Sequence, residues 1–379
     1  MFRCCIVPPY MLRAILQNGT SKQQALAWST LTDSEQFRGE RRLLTAIAPL
    51  SVSSGRKNRC VYDARHKYDL PGRLVRSEGK PRSKDLRVNE AYDGAGATYD
   101  MFKRVFSRNS IDDRGMRIDS TVHYGSSYEN AFWNGRQMVY GDGDGLIFGS
   151  FTRALDVIGH EITHGITQNE AGLHYRGQSG ALNESFSDVF GCLVNQYKKR
   201  ERAEKSSWLI GEKLFLAGVK AKGIRSMKAP GTAYDDPVLG KDPQPGHMDD
   251  YVVTDDDNGG VHLNSGIPNR AFYELAIRLK GCAWEKAGQI WYKTLTEKLR
   301  PASQFRDAMN MTVTAAGELY GVNSLEQKAV REAWAAHAPH ERYLTLHQIR
   351  QNCARILPGA QVRRHLFWRY SIVWKKPGL

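Results

Sequence analysis

The stretch D-V-I-G-H-E-I-T-H-G, residues 156–165, decides how the rest of the sequence is interpreted. Its two histidines, His160 and His164, are four positions apart, so on a helix both imidazoles leave the same face about one turn apart. At that spacing two neutral rings can bind one metal ion, and Glu161 beside them is a candidate general base. The same pattern also fits a buried helix whose histidines only form hydrogen bonds, so it needs support from elsewhere in the chain.

A second predicted helix, S-G-A-L-N-E-S-F-S-D-V-F-G-C-L-V, provides that support. Its apolar residues recur at helical spacing, and Ser179 is a candidate N-cap. If this helix packs against the first, Glu184 completes a set of two histidines and one carboxylate, which leaves a fourth metal position open to water, as in catalytic zinc sites. Asp188, one turn further, can accept the outer N–H of a ligand histidine. A solvated helix face is the alternative, but neighbours such as Phe186 make this helix apolar.

The polar loop D-D-D-N-G-G-V-H-L-N-S-G-I-P-N-R, residues 255–270, carries a further histidine and leads into a helix predicted to start near Ile267. Asp257 is close enough in sequence to hold the imidazole of His262. A lone histidine in a loop usually has no function. Beside a metal site, however, a His–Asp pair can donate a hydrogen bond to a reacting oxyanion.

Length and charge give the broad class of the protein. The 379 residues are too many for one compact core and suit two domains with extra segments. The net charge is +14, which would suit nucleic acid, an anionic membrane or acidic substrates. However, residues 340–379 hold eight Arg or Lys and one acid, about half of that excess, so a nucleic-acid role would have to reside in the chain ends. We expect no nucleic-acid partner.

The cysteines and the apolar runs argue against a disulfide-rich protein and a membrane-spanning protein. The six cysteines show no spacing of a metal site or a disulfide framework, so we expect no obligatory disulfide. The apolar run at the start is interrupted by Pro8 and Pro9, which spoils it as a signal peptide. No apolar run is long enough to cross a bilayer. We therefore expect a soluble protein without a Sec signal.

The predicted secondary structure changes twice along the chain. Residues 1–56 read as two short helices followed by a polar, glycine-containing linker, S-V-S-S-G-R-K-N-R at residues 51–59. Residues 57–155 read as β-rich, with a hairpin at Asn134-Gly135 and a helix near residues 89–106. From Asp156 onward helices dominate.

Several motifs in this order carry a family resemblance over about residues 57–339. They are N-A-F-W from Asn130, H-E-I-T-H from His160, A-G-L-H-Y ending at Tyr175, G-A-L-N-E-S-F-S-D ending at Asp188, R-S-M from Arg225 and D-N-G-G-V-H ending at His262. With them the chain resembles the thermolysin-like zinc metallopeptidases, and most closely the protealysin-type branch with its short N-terminal pro-segment. P-P-Y-M-L, near Pro8, is similar to the pro-segment motif of that branch; a proline turn before a surface helix is the alternative.

The resemblance implies an α+β fold with two lobes and a zinc cleft between them. It divides the chain into a pro-segment and linker (residues 1–56), a β-rich lobe (57–155), an α-helical lobe (156–339) and a basic extension (340–379). It also implies a neutral zinc endopeptidase made as a zymogen, whose pro-segment inhibits it intramolecularly. Its partners would then be protein and peptide substrates, and we expect a monomer.

The resemblance also assigns a role to each matching residue. The zinc ligands would be His160, His164 and Glu184, with Glu161 as the base and Asp188 as the partner of His160. Tyr175 and His262 would stabilise the oxyanion, with Asp257 orienting His262. Substrate would be aligned by Asn130 and the backbone of Ala131, and Arg225 would contact a substrate carbonyl on the primed side. The implied pocket for a bulky apolar residue after the scissile bond is formed by Phe148, Phe151, Val157, Ile210 and Ile224.

The sequence departs from the family at its calcium site and at its C-terminus. The positions of the paired calcium site hold Asp156, Asn195, Ser207, Leu209 and Glu212. Three of them lack a carboxylate, so we expect no double calcium site and at most one weak Ca²⁺ through Asp156 and Glu212. The Arg-rich extension from His340 has no counterpart in the family. It could dock an anionic surface or extend the fold, or it could be an unselected read-through.

Two other functions remain open at this stage. One is a basic polyanion-binding protein with a vestigial zinc site, although the complete set of ligands, base and oxyanion donors disfavours it. The other is an exopeptidase on a similar helix, which N-A-F-W disfavours because that motif supports binding of an extended strand. Secretion is implied by the family; cytoplasmic accumulation or non-classical release are the alternatives, since no Sec signal is evident.

Overall fold

The structure is a computed structural model that describes residues 4–44, 55–337, 350, 361–364 and 370–373. It contains two compact units, Met1–His337 and Ala338–Leu379. Four residues of the predicted linker, 51–54, lie outside the described residues. Among the helices that are described, none combines the length and the apolar character needed to cross a membrane.

The N-terminal segment forms one short strand and two helices. They are β1 (Cys4–Cys5), α1 (Pro9–Asn18) and α2 (Ser21–Leu44). Pro9 opens α1 at a position where its missing N–H costs no hydrogen bond. Thr20 and Gln23 form a reciprocal cap before α2, in which the Thr20 N–H donates to Gln23 Oε1 at 2.8 Å. Both predicted helices are therefore present.

A six-stranded sheet follows, with the strand order β1-β5-β6-β4-β2-β3. Its other strands are β2 (Arg59–Asp63), β3 (Arg73–Ser77), β4 (Ile118–Val122), β5 (Ala131–Trp133) and β6 (Met138–Tyr140). Helix α3 (Leu86–Phe106) packs beside this sheet. β5 and β6 form the hairpin predicted from Asn134-Gly135. β1 pairs antiparallel with β5, so the N-terminal segment supplies the edge strand of the sheet.

Helices dominate the chain from Leu155 to Ala335. They are α4 (Leu155–Asn169), α5 (Gly177–Lys199), α6 (Asp257–Asn264), α7 (Gly266–Leu279), α8 (Lys286–Lys293), α9 (Phe305–Tyr320) and α10 (Leu325–Ala335). Two short strand pairs lie between α5 and α6: β7 (Leu209–Ile210) with β8 (Arg225–Ser226), and β9 (Asp235–Asp236) with β10 (Gly240–Lys241). The α+β arrangement with a β-rich first part and a helical second part is confirmed.

Two local predictions need correction. α5 begins at Gly177 with Arg176 as its N-cap, so Ser179 lies inside the first turn; its hydroxyl donates to the carbonyls of His174 and Arg176. The loop before α7 also contains α6, which the sequence did not predict.

The second unit contains one described strand pair. β11 (Gln361–Arg364) pairs antiparallel with β12 (Tyr370–Val373), with Val362 opposite Ile372. The proposed roles of the basic extension fall mainly on residues outside the described ones.

Candidate active site and metal centre

Close packing of α4 against α5 brings the predicted ligands together. At their crossing, a Cβ on Gly191 would come within 2.4 Å of the Asp156 carbonyl, and a Cβ on Gly159 within 3.0 Å of the Gly191 Cα. Only glycine at these positions lets the two backbones approach this closely. The crossing places Glu184 of α5 beside the two histidines of α4.

The three ligand-type side chains present their lone pairs to one another. His160 Nε2 and His164 Nε2 lie 2.9 Å apart, and Glu184 lies 3.5 Å from the first and 3.4 Å from the second. All three side chains are buried. Two imidazole nitrogens and a carboxylate converging in a dry site are a donor set that suits Zn²⁺.

The outer ring nitrogens have partners that orient both imidazoles. His160 Nδ1 lies 2.9 Å from Asp188 Oδ1, and His164 Nδ1 lies 2.8 Å from Asn183 Oδ1 and 3.0 Å from Ser187 Oγ. Because Nδ1 of each ring faces these outer oxygens, each Nε2 faces inward, where its lone pair can bind a metal ion. Burial, together with the neighbouring His160, lowers the pKa of His164 well below its usual value, so this ring stays neutral, as a metal ligand must.

Glu161 lies on the same helix as the histidines and is fully buried. No side chain among the described residues hydrogen-bonds either of its carboxylate oxygens. Burial raises the pKa of Glu161 well above its usual value, and the nearby Glu184 adds to that increase. A buried carboxyl without a side-chain partner beside a metal site has the properties of a group that accepts and returns a proton.

A glycine-containing turn sets the position of His262. Asp257, Asn258, Gly259 and Gly260 all have φ between 51° and 84°, a left-handed region that favours glycine and tolerates Asn and Asp. The turn brings the Asp257 carboxylate within 2.6 Å of His262 Nδ1 and 2.8 Å of the His262 backbone nitrogen. Burial lowers the pKa of His262, but Asp257 and Glu184 outweigh it and raise the pKa to about 8.

Tyr175 completes the cluster of polar groups. Its hydroxyl donates to Glu184 Oε1 and lies 3.2 Å from His262 Nε2. The structure thus brings the predicted catalytic and metal-ligating residues into one buried site.

Residues 4–7 lie in this site alongside β5. The Ile6 N–H donates to the Ala131 carbonyl at 3.1 Å, continuing the β1–β5 pairing. Asn130 bonds both backbone groups of Val7: its Oδ1 accepts from the Val7 N–H at 2.9 Å, and its Nδ2 donates to the Val7 carbonyl at 3.1 Å. The Ile6 carbonyl accepts from Arg225 Nη1 at 2.9 Å. The residues predicted to align substrate therefore hold the chain's own N-terminal segment.

Arg225 also connects this strand to the metal site. Its guanidinium bonds both oxygens of Asp188, at 2.7 and 2.8 Å, and Asn269 Nδ2 donates to Asp188 at 2.8 Å. Burial would raise the pKa of Asp188, but Arg225 and His160 outweigh it and hold that pKa below its usual range. Asp188 is therefore charged and neutralises the buried Arg225.

The five residues of the predicted apolar pocket are all fully buried. They belong to the same hydrophobic cluster as Ile6 and Val7, whose side chains are 0% and 1% exposed. The cluster also holds Met11, Leu12 and Ile15 of α1, so the segment that follows the strand is anchored by apolar contacts.

The predicted weak calcium site is not tested by these contacts. Asp156 is buried, and its Oδ2 accepts a hydrogen bond from the Gly211 N–H at 2.5 Å. Glu212 accepts one from Ser207 at 3.3 Å. The calcium expectation stays a prediction.

Sequence reasoning missed three parts of the site. Asn183 and Ser187 hold the outer nitrogen of His164, and both could have been found because they lie within one turn of Glu184 on α5. Cys4–Val7 could be read only as a short apolar run, since nothing local to that run indicates pairing with a strand over a hundred residues later.

Comparison with known proteins agrees with this geometry. Residues 51–168 match the profile of the thermolysin metallopeptidase catalytic domain, and residues 171–338 match that of its alpha-helical domain. An extracellular metalloprotease of Pectobacterium carotovorum is 50% identical over 337 residues, covering 87% of this chain and 95% of that protein. Protease PrtS of a Photorhabdus strain is 48% identical, covering 87% and 90%.

A solved structure shows the same relationship. The precursor of protealysin, a metalloproteinase from Serratia proteamaculans, superposes with a TM-score of 0.80 at 50% identity, covering 88% of this chain and 99% of that one. Two family profiles together span most of the chain, and the relatives are matched over at least 90% of their own length, which leaves one assignment. The chain belongs to the thermolysin family of zinc-dependent metalloendopeptidases.

Proposed function

We propose that Glu161 is the general base of peptide hydrolysis in this protein, with His160, His164 and Glu184 holding the zinc. The observation that carries the proposal is the position of Glu161, buried and without a side-chain partner beside three converging ligand atoms. When bound there, Zn²⁺ would lower the pKa of a water molecule and polarise the scissile carbonyl. Glu161 takes the proton of that water and delivers it to the leaving amine.

The developing oxyanion is stabilised by donors from outside the metal helices. His262 Nε2 and the Tyr175 hydroxyl oxygen lie 3.2 Å apart, so one oxyanion can lie within reach of both donors. Asp257 holds His262 Nδ1 at 2.6 Å and stabilises the charged ring. Prepositioned donors in a water-poor site favour the charge that appears only in the transition state.

Substrate binds as an antiparallel edge strand along β5. In this proposal Asn130, the Ala131 carbonyl and Arg225 bond the substrate backbone as they bond Ile6 and Val7. The buried cluster of Phe148, Phe151, Val157, Ile210 and Ile224 receives the side chain that follows the scissile bond. The enzyme would therefore cleave before bulky hydrophobic residues.

The N-terminal segment acts as an intramolecular inhibitor. Its strand fills the backbone-binding positions, and α2 adds contacts with the β-rich part: Thr30 accepts from the Glu129 N–H at 3.2 Å, and Ser34 lies 3.1 Å from the Tyr128 hydroxyl. Arg13 pairs with Asp256 at 3.1 Å on the helical side. Substrate could enter only after these contacts are released.

We further propose that the enzyme acts as a monomer outside the cell. Every group of the proposed site comes from one chain, which supports the monomer. The name of the Pectobacterium relative, an extracellular metalloprotease, supports secretion.

Replacing Glu161 with Gln tests the proposed base. The isosteric amide cannot take a proton, so we expect zinc to remain bound at one ion per chain while hydrolysis of casein falls by at least about 100-fold. Glu332→Gln, on α10 with a side chain that is 68% exposed, is the control and should keep full activity. Zinc-loaded Glu161→Gln enzyme that retained activity would rule out this role for Glu161.

A further inference from the structure

The peptide bond between Cys5 and Ile6 lies where the proposed mechanism would cut. Its carbonyl oxygen, on Cys5, lies 2.8 Å from His262 Nε2. A carbonyl can only accept, so His262 donates to it, while Asp257 accepts from the other ring nitrogen at 2.6 Å. Among the described hydrogen bonds of the His262 ring, this is the one to a peptide carbonyl.

The groups on the other side of that bond fix its register. The Ile6 N–H, which would become the leaving amine, donates to the Ala131 carbonyl at 3.1 Å. The next carbonyl, that of Ile6, accepts from Arg225, and the residue after it is held at both backbone groups by Asn130. Five hydrogen bonds among the described residues thus place this bond next to His262.

The side chain that follows the bond suits the proposed specificity. Ile6 is bulky, apolar and 0% exposed, in the same cluster as the five pocket residues. The strand therefore has the register, the direction and the side chain expected of a bound substrate. Blocking the cleft alone would not require all three.

We propose that Cys5–Ile6 is a self-cleavage site, cut by the active site that it occupies; this inference rests on the proposed function. One water adds to the Cys5 carbonyl carbon and Glu161 takes one of its protons, which passes to the Ile6 nitrogen as the C–N bond breaks; the second water proton then leaves the new acid for the freed amine. The products are a carboxylate on Cys5 and a new amino terminus on Ile6.

The cut changes how the inhibitor is held. Among the described contacts, the segment ending at Cys5 would be held by its short pairing with β5, its contact with His262 and the packing of Cys5 in a small apolar cluster. Ile6, Val7 and α1 keep Arg225, Asn130 and the apolar cluster. Cleavage therefore vacates the catalytic side of the cleft while the remaining segment still fills the primed side. It is a separate event from the removal of residues 1–56 at the predicted linker.

The test follows the full-length chain by intact mass and N-terminal sequencing after zinc is added to metal-free protein. We expect a new amino terminus at Ile6 in the wild-type chain and none in Glu161→Gln, whose N-terminal segment is unchanged. A terminus at Ile6 that appeared equally in Glu161→Gln would mean that another protease cuts there, and the proposal would fail.

Two variants of the segment sharpen the result. Ile6→Leu keeps a bulky apolar side chain and should still be cut, whereas Ile6→Asp puts a charge into the pocket and should slow the cut by about 100-fold or more. Equal cutting of both variants would show that the pocket does not select this bond, against the proposal.

Casein hydrolysis by the processed enzyme, measured in the same preparations, separates this inference from the proposed function. If casein is hydrolysed and the Cys5–Ile6 bond stays intact over many turnovers, self-cleavage is wrong and the proposed function stands. If neither is hydrolysed, the proposed function itself fails.

The cut should be intramolecular, because the bond is buried in its own cleft. Its rate constant should then stay the same over a roughly 100-fold dilution. Glu161→Gln chain mixed with wild-type chain should keep its Cys5–Ile6 bond. Cleavage that slowed in proportion to dilution would assign the bond to a second molecule and contradict self-cleavage.

Discussion

Among the described residues, two groups of histidine and carboxylate side chains have the residue types of a metal site. The buried group is His160, His164 and Glu184; the surface group is His66, His123 and Asp142. In both groups one ligand atom of each residue lies within 4.8 Å of the others. Residue type and distance alone do not distinguish the two groups. The hydrogen bonds around the histidines do distinguish them.

In the buried group, the outer nitrogens of both rings are already engaged, so lone pairs face inward. Two lone pairs 2.9 Å apart repel each other unless a cation or a proton lies between them. The low pKa of His164, caused mainly by burial, disfavours the proton. This arrangement favours a metal ion.

In the surface group, both nitrogens of the central ring already face a carboxylate. His123 Nδ1 lies 2.8 Å from Asp142, and Nε2 lies 2.7 Å from Asp85. The bond to Asp142 outweighs partial burial and, with Asp85, raises the pKa of His123 to about 9. A proton fills the role here that a metal ion fills in the buried group. The outer partners of a histidine therefore decide whether it binds a metal or a proton.

Removal of one histidine from each group should give the largest contrast. We expect His164→Asn to lose zinc and to lower casein hydrolysis by more than about 100-fold, since even an outer partner of a ligand is worth 10–100-fold. His123→Asn, the matched change, should keep one zinc per chain and nearly full activity. Metal content by mass spectrometry and initial rates provide the measurement. Loss of zinc in His123→Asn would overturn the contrast.

Removal of one carboxylate from each group should give a smaller but still clear contrast. Asp188→Asn leaves the buried Arg225 without its counter-charge, so we expect the free energy of unfolding to fall by about 3–5 kcal/mol. It should also weaken zinc binding by about 10–100-fold, because Asp188 orients His160. Asp142→Asn should cost at most about 1 kcal/mol, because its pair is partly solvated and Asp85 remains.

The free energies of unfolding of Asp188→Asn and Asp142→Asn are best measured by denaturant titration in the Glu161→Gln background, which prevents self-digestion. The zinc affinities come from competition with a chelator. Similar losses of stability in Asp188→Asn and Asp142→Asn would contradict the view that burial separates the two groups.

The sequence was sufficient for the parts of the site that depend on local periodicity. The four-residue spacing of His160 and His164, and the position of Glu184 on a second amphipathic helix, predict one metal face because helical geometry is regular. The hairpin at Asn134-Gly135 is local in the same sense. Asp257 and His262 could be paired because only four residues separate them.

Contacts between distant segments could not be predicted in this way. Val7 bonds Asn130 across 123 positions, and Arg225 bonds Asp188 across 37. No periodicity connects such residues, because their meeting depends on how whole elements pack. Ser179 shows the opposite failure: its residue type suits an N-cap, but Arg176 takes that position, and the hydroxyl bonds the backbone before the helix instead.

The smallest expected effect is a pH dependence that belongs to the surface group alone. The pKa of His123 is about 9 in the folded chain and about 6.5 when unfolded, so its protonated form stabilises the fold. That contribution is fully present below about pH 6.5 and is lost as the pH rises through about 9. We therefore expect the difference in unfolding free energy between His123→Gln and its parent, both carrying Glu161→Gln, to be on the order of 1–2 kcal/mol at pH 6 and to shrink toward pH 9.5.

His66→Gln is the control for this prediction. His66 lies 3.6 Å from Asp142 with a side chain that is 60% exposed, and the same difference in unfolding free energy should stay near zero for this variant. A difference for His123→Gln that grew with pH would mean that the ring is held neutral, and the surface group would then have the protonation state of a metal site.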